Sequence, residues 1–324
     1  MALAKVLAAN EEFARQNPAG CVAVFMGATA GIGESTLKRM VTLLDNSTFY
    51  VLGRNPTEIA SKLEQLRISA STHQNKIVFI EAQVSLIADV DAACDRIIAD
   101  ENKVDYLCMS PGGMPFGGAV YTNEGLETCF AVSYYSRLRM VSKLLPLLRR
   151  SPGPHVLSIL NGTLEKPINE DDLGLDKSWG ITAVVNHTTV CTSLAFDYLS
   201  KQDEANKVVF LHATPGFVST DTPRKTRPSR QSGILWWAFI STMQVVSGWI
   251  IYYFGMAVKD SGERHSYHLT SSTFNAGSWQ VNRHSEVLPP NEVLRQYQER
   301  GWAEKVWDHS LRVWDRALAT SRSS

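Results

Sequence analysis

The chain has 324 residues, 44% of them hydrophobic and 20% charged, which is enough apolar material for a substantial core in one large domain or two small ones. Lys plus Arg and Asp plus Glu stand at 32 each, a balance that argues against a polyanion or an anionic lipid headgroup as the main partner, so no nucleic-acid partner is expected. The five cysteines (Cys21, Cys94, Cys108, Cys129, Cys191) form no CxxC pair and meet no paired histidines, so neither a disulfide framework nor a metal site is expected. With no signal peptide in view, the expected compartment is reducing and cytoplasmic.

The opening MALAKVLAANEEFARQN has helical spacing and is too polar for a secretory segment. From residue 21, strand-like and helical stretches alternate. The strand-like runs are CVAVFMG (21–27), TFYVLGR (48–54), KIVFIEAQV (76–84), VDYLCMS (104–110), HVLSIL (155–160) and KVVFLHATP (207–215). They are continuous in apolar and β-branched residues rather than alternating, as expected for parallel strands buried on both faces. The helical stretches between them recur at roughly the 30-residue length of a βαβ unit. The longest is expected from about Glu124 to Arg150, where SPGP stops it. The expected fold is α/β, a doubly wound parallel sheet of the Rossmann kind with helices on both sides, in one domain over 1–324.

After residue 220 the pattern changes. RQSGILWWAFISTMQVVSGWIIYYFGMAVKD holds no charge between Arg230 and Lys259, and its length alone satisfies the rule for a membrane span. Ser241, Thr242, Gln244, Ser247 and Gly248 interrupt it, and it lies between elements of one sheet. The segment 221–260 therefore reads as an apolar lid, with membrane-surface contact through 233–258 or a true span as alternatives. Arg224, Lys225, Arg227 and Arg230 form the one dense basic cluster and read as a solvated loop. A further strand is expected at SYHLTS (266–271), and C-terminal helices within 290–324, near 291–299 and 302–319.

The stretch VFMGATAGIGEST (24–36) carries the strongest functional signal. A glycine-rich turn directly after the first strand, opening a helix from about Ile32, is the placement a dinucleotide site needs. Glycines let the backbone approach a pyrophosphate, and the helix N-terminus offers free N–H groups at its positive end. Gly27, Thr29, Ala30, Gly31, Ile32 and Gly33 are the candidate residues, and their spacing differs from the G-x-G-x-x-G form.

That spacing, closed by GIG, resembles the short-chain dehydrogenase/reductase family over about residues 20–275. The resemblance implies that VLGR (51–54) is the family's second strand, whose end meets the adenosine ribose. A cation there pairs with a 2′-phosphate, so Arg54 implies NADP(H). QVS (83–85) puts Gln83 where an aspartate usually contacts adenine. SPGG (110–113) stands in place of an Asn-Asn-Ala-Gly turn and brings Gly112 to the cofactor. PGFVST (215–220) resembles the motif after the sixth strand, so Val218 and Thr220 would face the nicotinamide amide.

The family's usual chemistry needs a tyrosine proton donor, a lysine four residues on, a serine and an asparagine. No tyrosine of this chain has a lysine at +4. Alignment places the tyrosine position at Trp179 and the lysine position at Ala183, or one residue on at Gly180 and Val184. The serine position falls on Asn161 and the asparagine position on Ser133. Asn161 and Trp179 are expected to line the substrate site, and no catalytic residue is assigned. His187, one helical turn past Ala183, is either a rebuilt proton donor or a core histidine. The loop 162–180 adds Glu165, Glu170, Asp171, Asp172, Asp176 and Lys177, of which one could reach inward.

The resemblance extends to fungal members that tailor secondary metabolites, on the strength of PLL, AxPGFV, SGERH and the apolar segment. It implies a dimer or tetramer, with a homodimer as the expected partner, and a bulky lipophilic substrate that Trp236, Trp237, Phe239, Trp249, Tyr252, Tyr253 and Phe254 would suit, packing of a core helix being the alternative for these aromatics. Three functions stay open: an NADP(H)-dependent oxidoreductase with a non-standard proton donor, a non-redox isomerase, cyclase or dehydratase on the same scaffold, and an inactive cofactor-binding protein.

Overall fold

A computed structural model describes residues 1–113, 118–205, 207–219 and 255–323. Thr220, the basic cluster at 224–230 and residues 233–254 of the apolar stretch lie outside the described residues. No helix among the described residues is long and apolar enough to cross a membrane.

The apolar runs form the strands of one sheet: β1 (Val22–Met26), β2 (Thr48–Gly53), β3 (Lys76–Glu81), β4 (Tyr106–Met109), β5 (His155–Ile159), β6 (Val209–Ala213), β7 (Gly277–Val281) and β8 (Val287–Leu288). Their order is β3-β2-β1-β4-β5-β6-β7-β8. All pairs are parallel except β7 with β8, which is antiparallel. The continuous apolar character of the runs is explained by burial on both sides. In β1, Val22, Val24 and Met26 enter one core and Ala23 and Phe25 enter the other.

Helices cover each face. α1 (Leu3–Arg15), α2 (Gly31–Leu43), α3 (Ala60–Ser71) and α8 (Val258–Thr270) pack on the Phe25 side. α4 (Ile87–Asp100), α6 (Ser136–Leu148), α7 (Ile181–Lys201), α9 (Glu292–Glu299) and α10 (Trp302–Ser323) cover the Val24 side. The first group is stitched by charge. Arg39 of α2 bonds Glu263 of α8 at 2.9 Å and Glu11 of α1 at 2.5 Å, while Asn10 donates to the Glu263 carboxylate at 2.8 Å.

Two expected elements differ. SYHLTS is not a strand but the end of α8, and the seventh parallel strand is Gly277–Val281. Residues 261–269 of α8 are all buried, so no polar face marks the helical period. Gly262 permits this, because a Cβ there would lie 2.9 Å from Cβ of Ser35 on α2. The long helix also begins later than Glu124. It comprises α5 (Thr128–Phe130), a π-helical turn at Ala131–Tyr135, and α6. Glu124 instead accepts the N–H groups of Ile87 and Ala88, at 2.5 and 2.9 Å, and caps α4. The expected C-terminal helices are present as α9 and α10.

α10 is locked by Trp314, which is fully buried, stands edge-on to Trp307 at 5.5 Å, and donates its indole N–H to Tyr135 O at 3.1 Å. Trp314→Ala should cost about 3–5 kcal/mol in urea unfolding. A loss below about 1 kcal/mol would show that α10 is not part of the cooperative core.

Candidate active site

The β1–α2 turn is built by contacts that only glycine tolerates. Gly27 sits at φ +84° and Gly31 at φ +61°. A Cβ on Gly27 would lie 2.8 Å from Pro111 Cα, and one on Gly33 would lie 2.6 Å from the Gly27 carbonyl oxygen. Ser110 clamps the turn from the next strand: its N–H donates to Met26 O at 2.9 Å and its hydroxyl to Gly27 O at 3.1 Å. Ala30, the N-cap of α2, provides no side-chain cap, so the first-turn N–H groups remain available to an anion.

An open cleft runs over this turn at the C-terminal edge of the sheet, between β1 and β4, where the strand order reverses. Its lining includes Gly27, Thr29, Ala30, Gly31, Gly53, Arg54, Val84, Ser85, Ser110, Pro111, Gly112, Gly113, Val132 and Ser219. Of the expected cofactor residues, Gly27, Thr29, Ala30, Gly31, Arg54 and Gly112 therefore face it. Gly33 is buried beneath the turn and Ile32 packs on the α2-side core. Gln83 is exposed, with its amide on Ser85 Oγ at 3.3 Å, and it is Val84 and Ser85 that reach the cleft. Val218 is buried and pairs with Met256 in a parallel bridge.

At the β2 end, Arg54 is exposed and makes no ion pair among the described residues. Two other cations nearby are engaged. Lys38 and Lys62 bond Glu34 at 2.7 and 2.8 Å, and Lys62 also donates to Thr29 O at 3.2 Å. Burial alone would raise the Glu34 carboxyl, but the two lysines hold it below the ordinary value.

Toward β5, Ser133, Asn161, Trp179 and Ala183 carry no group that titrates near neutrality. Ser133 is buried in the π-helical turn, a feature frequent at functional sites. Asn161 follows β5 and donates its backbone N–H to His212 Nε2 at 3.4 Å. Trp179 is half-buried against the core, and its indole N–H has no hydrogen-bond partner among the described residues. Trp179 and Ala183 do not share a helix face, because α7 starts at Ile181 with extended Gly180 as its N-cap. His187 is a core histidine, 1% exposed. Its Nε2 accepts from the Asn169 N–H at 3.0 Å and its Nδ1 meets Leu173 O at 3.2 Å, so it holds the loop and is not a free proton donor.

Of the acids in the 162–180 loop, Glu165 is the one that turns inward, at 4% exposure. It accepts from Ser193 Oγ at 2.7 Å, the Thr163 N–H at 3.2 Å and Asn291 Nδ2 at 3.3 Å. Burial pushes its carboxyl up from the ordinary range, and these donors offset part of that rise. Ser193 Oγ also meets His212 Nδ1 at 2.8 Å, so a chain runs Glu165–Ser193–His212–Asn161 N–H. With Ser193 donating to Glu165 and the Asn161 N–H donating to Nε2, His212 is the neutral tautomer with its proton on Nδ1. The chain holds Thr163 at φ +84°, a strained value for a β-branched residue, right behind Asn161. Nothing in the loop's spacing distinguished Glu165 from its neighbours.

A model of the short chain dehydrogenase family matches residues 21–167. Oxidoreductase AN1596 of Emericella nidulans is 34% identical over 91% of this chain and 93% of its own length. Oxidoreductase lepF of Aspergillus flavus is 31% identical over 92% of each. The crystal structure of NADPH-bound carbonyl reductase from chicken fatty liver superposes with a TM-score of 0.56 at 14% identity, covering 85% of this chain and 96% of that one.

Burial pushes His212 down to about 3 and His265 and His309 each to about 4. These groups are neutral in the fold but titrate near 6.5 in the unfolded chain, so their contribution is complete above that pH and is lost as pH falls from 6.5 toward 4. Glu165, raised in the fold, acts in the opposite sense, as one group against these three and the likewise lowered His155, His187 and His268. The thermal midpoint should therefore drop by several degrees from pH 7 to pH 5. A flat profile by calorimetry would contradict the buried neutral histidines.

Proposed function

Because the chain belongs to the short-chain dehydrogenase/reductase family, we propose that its cleft binds NADP(H) and that it exchanges hydride with a bulky lipophilic intermediate of fungal secondary metabolism. The observation that carries this reading is the turn at Gly27–Gly33, where side chains are excluded by backbone contact and an uncapped helix end opens onto the cleft. The residues fit a dinucleotide in order along the cleft. Arg54 would hold the 2′-phosphate, the first turn of α2 the pyrophosphate, and the β4–β5 side the nicotinamide.

When bound, the nicotinamide supplies the hydride chemistry. The chain supplies orientation and hydrogen bonds. Asn161 would hold a substrate oxygen through its amide, and the indole N–H of Trp179, buried and without a partner among the described residues, is a donor that does not titrate. Neither delivers a proton near neutral pH, so the reading favours a substrate that needs little acid assistance, such as an iminium or an activated alkene. The non-titrating set at Ser133, Asn161, Trp179 and Ala183 also supports a second reading, a non-redox isomerase, cyclase or dehydratase that keeps the dinucleotide as scaffold. The apolar composition of 233–258 supports the lipophilic substrate.

Titration calorimetry of the purified protein with NADPH and NADH tests the cofactor. NADPH should bind at least about tenfold more tightly, and Arg54→Glu should remove that preference while leaving NADH affinity within about twofold. Equal affinities in the unmodified protein would refute the 2′-phosphate assignment. Binding of neither would refute the nucleotide site.

A further inference from the structure

Arg137 is fully buried, on the second residue of α6 just after the π-helical turn. Its guanidinium is caged by neutral acceptors. Nη1 donates to Met109 O at 3.1 Å, Ser158 Oγ at 2.8 Å and Ile159 O at 2.9 Å. Nη2 donates to Pro111 O, and Nε to Val132 O at 3.2 Å. No carboxylate contacts it among the described residues. The acid on the same rim, Glu127, is engaged elsewhere, accepting from the Phe130 N–H at 2.7 Å. A buried charge without a counter-ion is costly, and carbonyl dipoles alone compensate it only in part.

Its position gives the charge a use. Pro111 and Val132, two of its acceptors, line the cleft. Met109 and Ile159 are the last residues of β4 and β5, so the guanidinium lies under the cleft floor on the side where strand order places the nicotinamide. Burial lowers the guanidinium to about 9, so it stays charged at neutral pH. Its field reaches the β5 end behind Asn161, where it adds to burial in lowering His212.

Resting on the nucleotide reading above, we propose that Arg137 sets the redox-state preference of the cleft, its fixed positive charge favouring the reduced dinucleotide with a neutral ring over the oxidised one with a cationic ring. Arg137 touches neither substrate nor cofactor in this account. It is a positioning residue that fixes the β4 loop and the β5 end and acts through charge. A structural role alone would change stability, or weaken both forms together, and leave their ratio untouched.

The test is calorimetric titration of the full chain with NADPH and NADP+ at constant pH and ionic strength, alongside thermal melts. The unmodified protein should bind NADPH at least about tenfold more tightly than NADP+. Arg137→Lys keeps the charge and loses the fork, and should keep most of that ratio. Arg137→Met loses the charge, and should bring the ratio within about twofold of unity. Comparable affinities of the unmodified protein for the two forms would overturn the proposal, whatever the variants do, and so would a ratio preserved in a folded Arg137→Met. If Arg137→Met does not fold, collapse of the ratio in Arg137→Lys likewise counts against the charge. Binding of both forms at equal strength defeats this inference alone, whereas binding of neither defeats the nucleotide reading beneath it.

Discussion

The close approach of two backbones, the β1–α2 turn and the loop after β4, is the constraint on which the site depends. Gly27 lies against Pro111, Gly33 lies against Gly27, and Ser110 ties the two strands by hydrogen bonds. A side chain at either glycine would force the strands apart at the switch point and tilt the end of α2 away from the cleft. The same loop is held from below by Arg137 through Pro111 O. One end of the cleft is therefore mechanically joined to the other, through neutral carbonyl groups and a single buried charge.

Non-titrating side chains stand on the other side of this frame. Ser133, Asn161, Trp179 and Ala183 supply hydrogen bonds or bulk but no proton near neutral pH. Family membership fixes the fold, while the particular side chains at the site decide what reaction is possible. The buried chain from Glu165 through Ser193 and His212 to the Asn161 N–H stiffens the β5 end, and it holds His212 as a hydrogen-bonding group rather than an acid.

Much of this was legible in the sequence. Continuous apolar runs gave β1 through β6 because parallel strands buried on both faces leave no polar alternation. The glycine spacing marked the turn because backbone contact leaves no other residue a place. SYHLTS misled because α8 is buried all round, so its helical period was masked. Glu124 reads as helical because capping of a distant helix leaves no mark on local periodicity. Arg137 leaves a trace in the sequence. It falls on the apolar face of its helix, in line with Val141, Leu144 and Leu148, whereas Arg139 turns outward to Asp91 at 2.6 Å. A charge on an apolar stripe is either an error of pattern or a buried functional group, and here it is buried.

The account turns on hydride exchange without an acid–base pair, and isotope transfer tests that most directly. The intermediate that accumulates when the gene is deleted would be incubated with the purified protein and NADPH deuterated at C4 of the nicotinamide. The account predicts one deuterium on carbon in the product, with NADP+ formed in equal amount, and a rate that does not follow the ionisation of a tyrosine–lysine pair. Unlabelled product formed while the NADPH stays reduced would contradict it and leave the dinucleotide as scaffold alone.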